Sequence, residues 1–160
     1  VADALSRHLT GVPVVVDPVM VATSGDRLLA SAAEAALRDR LLPHATVTTP
    51  NLPEARCLAP GVDGAEALAA VWQGFGAEHV LVTGGDDDTA QVVDHWVAVD
   101  GRARTWCSPR VPGGPFHGTG CSLSSAIAGQ LAGGMPVEEA LEASIAYVRR
   151  RLTTAWGPGG

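Results

Sequence analysis

Basic runs, paired cysteines and long apolar stretches are all missing from this 160-residue chain, and each absence excludes a class of protein. With no cluster of basic residues and a formal net charge of −6, neither nucleic acid nor an anionic membrane surface is expected as the main partner. The cysteines Cys57, Cys107 and Cys121 are odd in number and show neither C-x-x-C nor Cys/His metal spacing. Disulfides and structural zinc are therefore not expected, and a reducing cytoplasm is the default location. No apolar stretch approaches bilayer length, and the N-terminus lacks a charged-then-apolar signal pattern, so nothing is expected to span or target a membrane. A Walker A sequence is absent too, which excludes a P-loop nucleotide site. What is present, 46% hydrophobic residues and a mean hydropathy of +0.16, suffices for one soluble domain built around a small-molecule site.

Hydrophobic patterning predicts strands at 12–17, 45–49, 79–83, 92–99 and 103–108. Helices are predicted at about 30–42, 52–58, 64–75, 120–133 and 137–152. This alternation predicts an α/β fold, a central, mostly parallel sheet with helices on both faces. Val14-Val15-Val16 and Val80-Leu81-Val82 are apolar without alternation, as strands buried on both faces should be. Ser31-x-x-Glu34 reads as a capping box opening one helix, and Gly133-Gly134 followed by Pro136 closes another. The chain starts in a helix-like stretch, Ala2 to Leu9, that runs straight into a strand, and it ends in a frayed Gly157-Pro158-Gly159-Gly160 tail. Residues 1–160 are thus expected to form a single partial domain that begins in its middle.

In open α/β sheets, ligands sit beyond the carboxyl ends of the strands. The segments there carry chemistry: Asp17-Pro18-Val19-Met20, Thr49-Pro50-Asn51-Leu52-Pro53-Glu54, and Thr83-Gly84-Gly85-Asp86. A fourth segment, His117-Gly118-Thr119-Gly120-Cys121-Ser122-Leu123-Ser124-Ser125-Ala126, sets glycines and a thiol at the mouth of a helix whose buried stripe is Leu123, Ile127 and Leu131. Free N–H groups and the positive helix end there favour an anion and are expected to lower the Cys121 pKa toward the thiolate. The alternative is a Gly-rich turn with Thr119 as N-cap and Cys121 as a small core filler. Asp17 and Glu54 could hold Mg²⁺ through water beside a nucleotide polyphosphate. Equally, Asn51-x-x-Glu54 is a capping pattern with Pro53 tolerated in the first turn, and Asp17 before Pro18 a turn former. Thr83 with Gly84 and Gly85 cradles phosphate or merely turns the chain.

Together with Ser24-Gly25-Asp26 and Leu28-Leu29, these segments resemble the hydroxymethylpyrimidine/phosphomethylpyrimidine kinases of thiamine biosynthesis, within the ribokinase-like superfamily, over residues 13 to about 150. The resemblance implies ATP- and Mg²⁺-dependent phosphorylation of 4-amino-5-hydroxymethyl-2-methylpyrimidine and then of its monophosphate. It makes Gly118, Thr119, Gly120 and Cys121 the anion hole, with Cys121 as base in the first step, where sugar-kinase relatives carry an aspartate. Asn51 and Glu54 would serve Mg²⁺ and ATP phosphates, Asp17 the outer shell of the metal, Thr83 and Gly85 the nucleotide, and Val19 the wall of the acceptor pocket. Family members are commonly homodimers. Thr83 departs from the lysine that many members carry there and resembles the pyridoxal kinase branch, which keeps pyridoxal as an alternative acceptor. The family's N-terminal strands and Gly-rich substrate loop are also missing, so the chain alone is expected to be inactive. A pyrimidine-binding module without catalysis is the remaining alternative.

Overall fold

The computed structural model describes residues 11–21, 27–85, 89–112, 116 and 118–155. The Ala2–Leu9 stretch, Ser24-Gly25-Asp26, Asp86, His117 and the Gly157–Gly160 tail lie outside the described residues. Five strands form one sheet in chain order: β1 (Val15–Val16), β2 (Val47–Thr48), β3 (His79–Val82), β4 (Gln91–Ala98) and β5 (Ala103–Pro109). The first three are parallel, with Val16 beside Thr48 and Thr48 beside Val80. β4 runs antiparallel to β3, and β5 to β4, joined by a turn at Asp100-Gly101, so the sheet is mixed. β1 and β2 are shorter than the runs at 12–17 and 45–49. Beyond them the pairing continues partly through a side chain, the Thr46 hydroxyl accepting the Val14 N–H at 3.1 Å.

The helices are α1 (Ser31–Ala36), α2 (Leu52–Leu58), α3 (Ala65–Gln73), α4 (Thr119–Ala132) and α5 (Val137–Ala155). α1 passes into a π turn over Leu37–Leu41 and a 3-10 turn over Leu42–His44, where Pro43 has no N–H to continue the ladder. The expected Ser31/Glu34 capping box does not form. Ala30 is the N-cap without a side-chain cap bond, Ser31 is already helical, and the Glu34 carboxylate is taken by an ion pair with Arg27. α4 stops as expected. The Gly134 N–H bonds the Leu131 carbonyl at 3.0 Å and the Met135 N–H bonds the Gln130 carbonyl at 3.2 Å, the paired closure of a Schellman motif.

Successive residues of β3 serve opposite faces, which builds two cores. Val80 and Val82 join Met20, Leu42, Leu68 and Trp72 under α1 to α3. Leu81 joins Val47, Trp96, Ile127, Leu131 and Leu141 under α4 and α5. Each large side chain fully removed from water contributes about 1.5–3 kcal/mol, so the two layers fix the helices on both faces of the sheet, as the alternation predicted. The Trp72 indole satisfies its N–H on the Ala55 carbonyl at 3.0 Å, tying α3 to α2. On the other face Arg104 holds Glu142 of α5 in a forked pair of 3.0 Å bonds and lies over the Trp106 ring. The sheet's carboxyl edge is therefore framed on one side by the mouth of α2 and on the other by the mouth of α4.

Candidate active site at the carboxyl edge of the sheet

The parallel register brings three of the four sequence segments together. Thr49 N–H bonds the Val16 carbonyl at 3.1 Å, and Asn51 pairs with Thr83 in an isolated parallel bridge, Thr83 N–H reaching the Pro50 carbonyl at 2.9 Å. Asp17, Asn51 and Thr83 thus stand along one edge. The fourth segment arrives from α4: the Ser124 hydroxyl lies 3.2 Å from Asp17 Oδ2 and 3.1 Å from the Cys121 carbonyl.

The mouth of α4 is open in the sense an anion site requires. Gly118 is its N-cap in the left-handed conformation, φ 77°, which a side chain would resist, and no side chain caps it. The 3.0 Å bond from Ser122 N–H to the Gly118 carbonyl is the first intrahelical one, so the Thr119, Gly120 and Cys121 N–H groups have no acceptor within the helix. Thr119 is therefore not the cap, and Cys121 is exposed, not a core filler. From Cys121 an open cleft of about 650 Å³ runs along α4 past Ser122, Ser125 and Gln130 to Tyr147 of α5.

One expectation about this thiol is corrected. The Asp17 carboxylate accepts from Cys121, and its hydrogen bond and negative charge, with partial burial, push the Cys121 pKa up. The backbone of the helix turn pulls the other way and is outweighed. The thiol therefore holds its proton more tightly than an ordinary cysteine does.

The mouth of α2 is closed by its own residues. Asn51 Oδ1 accepts the Glu54 N–H at 2.8 Å while Glu54 Oε2 accepts the Asn51 N–H at 3.1 Å, a complete capping box. Glu54 Oε1 also accepts the Met20 N–H at 3.2 Å, stitching the β1 exit to α2, and the residue is 4% exposed. Val19, between Asp17 and Met20, is 45% exposed at this edge and its N–H bonds the Asp17 carbonyl at 3.0 Å. Gly84 lies so close to β4 that a Cβ there would fall 2.4 Å from the Val93 carbonyl oxygen, whereas Gly85 faces open space. The first glycine of the pair thus has a packing reason and the second does not.

Among the described residues no cluster of three or more His, Cys, Asp or Glu could cage a metal ion. Mg²⁺ does not need one, since it keeps several waters and commonly takes one or two carboxylates plus phosphate oxygens. Asp17 and Glu54 supply carboxylates for such a partial donor set, and the Thr49 hydroxyl, at the β2 end paired with Val16, is buried without a hydrogen-bond partner. Thr49 was not singled out from the sequence. The available signal was its two-residue spacing from Val47, which turns it to the α4 face beside Asp17. Ser124 was likewise missed, although it sits one helical turn from Cys121. The chain contains no lysine, so positive charge at this edge comes from helix ends and arginine.

A model of the phosphomethylpyrimidine kinase family matches residues 1–160, and the chain belongs to that family. The hydroxymethylpyrimidine/phosphomethylpyrimidine kinase of Rhizobium meliloti is 43% identical over 160 residues, covering 97% of this chain and 59% of the relative. The Streptomyces coelicolor protein of the same name is 42% identical over 94% of this chain and 57% of its own length. The chain therefore spans less than two thirds of these relatives. Among solved structures, the phosphomethylpyrimidine kinase of Clostridium difficile superposes with a TM-score of 0.77 at 30% identity, covering 94% of this chain and 62% of that one. An ADP complex of Bacillus subtilis pyridoxal kinase gives 0.77 at 31% identity, covering 91% and 56%. The fold is the ribokinase-like one, as its sequence resemblance implied.

Proposed function

We propose that the intact protein carrying this chain is an ATP-dependent kinase that phosphorylates 4-amino-5-hydroxymethyl-2-methylpyrimidine and then its monophosphate in thiamine diphosphate biosynthesis. The observation that carries the reading is the mouth of α4, which no side chain caps, with an exposed thiol in its first turn beside the Asp17 carboxylate. The acceptor hydroxyl, held against Val19, gives its proton to the Cys121 sulfur as the thiol passes its own proton to the Asp17 carboxylate, and the freed oxygen attacks the γ-phosphorus. The bond from that phosphorus to the β,γ-bridging oxygen breaks, and ADP leaves. Charge on the transferring group meets the N–H groups of Thr119, Gly120 and Cys121 and the positive end of the α4 dipole. Asn51, Thr83 and Gly85 line the nucleotide side. Asp17 and Glu54 would hold Mg²⁺, which when bound neutralises phosphate charge.

The second phosphorylation starts from an oxygen already ionised near neutral pH and depends on the base less. Homologues bearing this name, and solved kinases with ADP and an ATP analogue, support the nucleotide assignment. Among the described residues no helix is long and apolar enough to cross a membrane, and the reading carries a cytoplasmic, homodimeric enzyme with it.

A second reading, pyridoxal phosphorylation, is favoured by one observation, Thr83 in place of the family's common lysine, in a chain whose structural neighbours include pyridoxal kinases. Comparing kcat/KM for hydroxymethylpyrimidine, its monophosphate and pyridoxal decides between them. We expect the two pyrimidines to lead, and a clear preference for pyridoxal would overturn the assignment.

A further inference from the structure

The strap Thr83-Gly84-Gly85 is held at three consecutive points, two of them by side chains given no role so far. Thr83 N–H is fixed on the Pro50 carbonyl at 2.9 Å. Gly84 N–H is fixed on Asp94 Oδ1 at 3.1 Å. The Gly85 carbonyl accepts Arg110 Nη1 at 2.7 Å, and the same guanidinium bonds the Thr89 carbonyl through Nε at 2.7 Å. Asp94 is 7% exposed in the middle of β4, an uncommon place for a carboxylate, and Gly84 is pressed onto the neighbouring Val93 backbone so closely that no side chain fits.

We infer that Asp94 is a positioning residue for the nucleotide: by accepting the Gly84 N–H from inside the sheet it sets the direction in which Thr83 and Gly85 present their groups to the ATP phosphates. The inference rests on the nucleotide role proposed above for that strap. Arg110 fixes the far end, so the Gly84 bond settles the remaining rotation of the two peptide planes between them. Backbone groups aimed beforehand at a phosphate lose little freedom when it arrives, which is where such a contact contributes to affinity. The cost is visible in the same residue. Burial pushes the Asp94 carboxyl up to about 6, against the opposing pull of the Gly84 N–H and of Arg149 on α5, so the charge is kept in a place that resists it.

The test uses the intact enzyme and compares Asp94→Ala, which removes the acceptor, with Asp94→Asn, which keeps an oxygen for Gly84. Steady-state KM values for MgATP and for hydroxymethylpyrimidine, thermal melts, and calorimetric titration with ADP are measured on all three proteins. Asp94→Ala should raise the KM for MgATP and the dissociation constant for ADP about tenfold, leave the pyrimidine KM within twofold, and melt no lower than the parent. Asp94→Asn should bind ADP within about threefold of the parent. The inference is overturned if Asp94→Ala binds ADP like the parent, if its loss falls equally on both substrates, or if Asp94→Asn is as impaired as Asp94→Ala. A parent enzyme that binds no ADP would sink the kinase reading instead, so the two failures remain distinguishable.

Discussion

Two helix mouths face each other across the same sheet edge, and they are finished in opposite ways. α2 closes on itself: Asn51 and Glu54 satisfy each other's backbone N–H groups, and Glu54 takes a third N–H from Met20. α4 opens with Gly118 and no side-chain cap, and its first-turn N–H groups have no acceptor within the helix. Their sequences, Asn51-Leu52-Pro53-Glu54 and Gly118-Thr119-Gly120-Cys121, differ in whether the first turn brings its own acceptors. A mouth that supplies its own acceptors stabilises its helix, and one that withholds them leaves donors suited to an anion.

The sharpest way to break this comparison is at Cys121. If α4 is the chemical mouth, Cys121→Ala should slow phosphorylation of the free hydroxymethyl group by roughly 10²- to 10⁴-fold, the usual worth of general base catalysis, and should slow phosphorylation of the monophosphate less. Stability should change by less than about 0.5 kcal/mol, because the thiol is exposed. Assays with both acceptors check this. Equal losses on the two would leave the anion-hole role standing and remove the base.

A carboxylate that takes one backbone N–H, where Glu54 takes two, gives the next largest effect. Among the described residues Asp94 accepts one backbone N–H, that of Gly84, and it is pushed up to about 6 by burial, from an ordinary 3.8. Between these values the native state holds a proton that the unfolded chain has released. Stability contributed at this site therefore falls as pH rises through that window, by on the order of 3 kcal/mol once above it. The Asp94→Asn variant has no such window. The difference in unfolding free energy between variant and parent should grow from near zero at pH 4 to a plateau above pH 6 in favour of the variant. A pH-independent difference would contradict the burial account.

Glu54→Gln probes the closed mouth directly. Both carboxylate oxygens accept backbone N–H groups, so an amide must turn its NH₂ toward one of them and leave a buried donor facing a donor. A loss of about 1–3 kcal/mol in chemical denaturation is expected, together with weaker Mg²⁺-dependent turnover. The loss exceeds that of a local cap because the Met20 bond ties Glu54 to a segment 34 residues away.

That contrast describes what was legible. α2 matches its predicted span of 52–58 because its start signals, Asn51, Pro53 and Glu54, act within one turn. The two-faced core was readable from Val80-Leu81-Val82, since burial on both sides removes alternation. The Cys121 proton was not readable. The helix-end argument was local and correct in sign, but the decisive neighbour, Asp17, comes from a distant strand, just as Ser124 meets Asp17 across 107 residues. Asp94 and Arg110 were invisible for the same reason: nothing in their local patterns says which loop they hold.

The smallest effect concerns two capping motifs that look alike on paper. Ser31-x-x-Glu34 and Asn51-x-x-Glu54 both carry the box pattern, yet Asn51 is a true N-cap with extended backbone, φ −78° and ψ 169°, while the residue in that position for α1 is Ala30. Ser31 lies one residue too far along for its hydroxyl to serve the first turn as a cap, and Glu34, which would have reached back, is drawn off by Arg27. Asn51→Ala should therefore cost about 1 kcal/mol, and Ser31→Ala should lie within about 0.5 kcal/mol of the parent, since alanine is the better helix former at a helical position. Denaturant melts of the two variants side by side measure the difference. Equal losses would mean that Ser31 caps α1 in solution and that the register shift separating the two motifs is wrong.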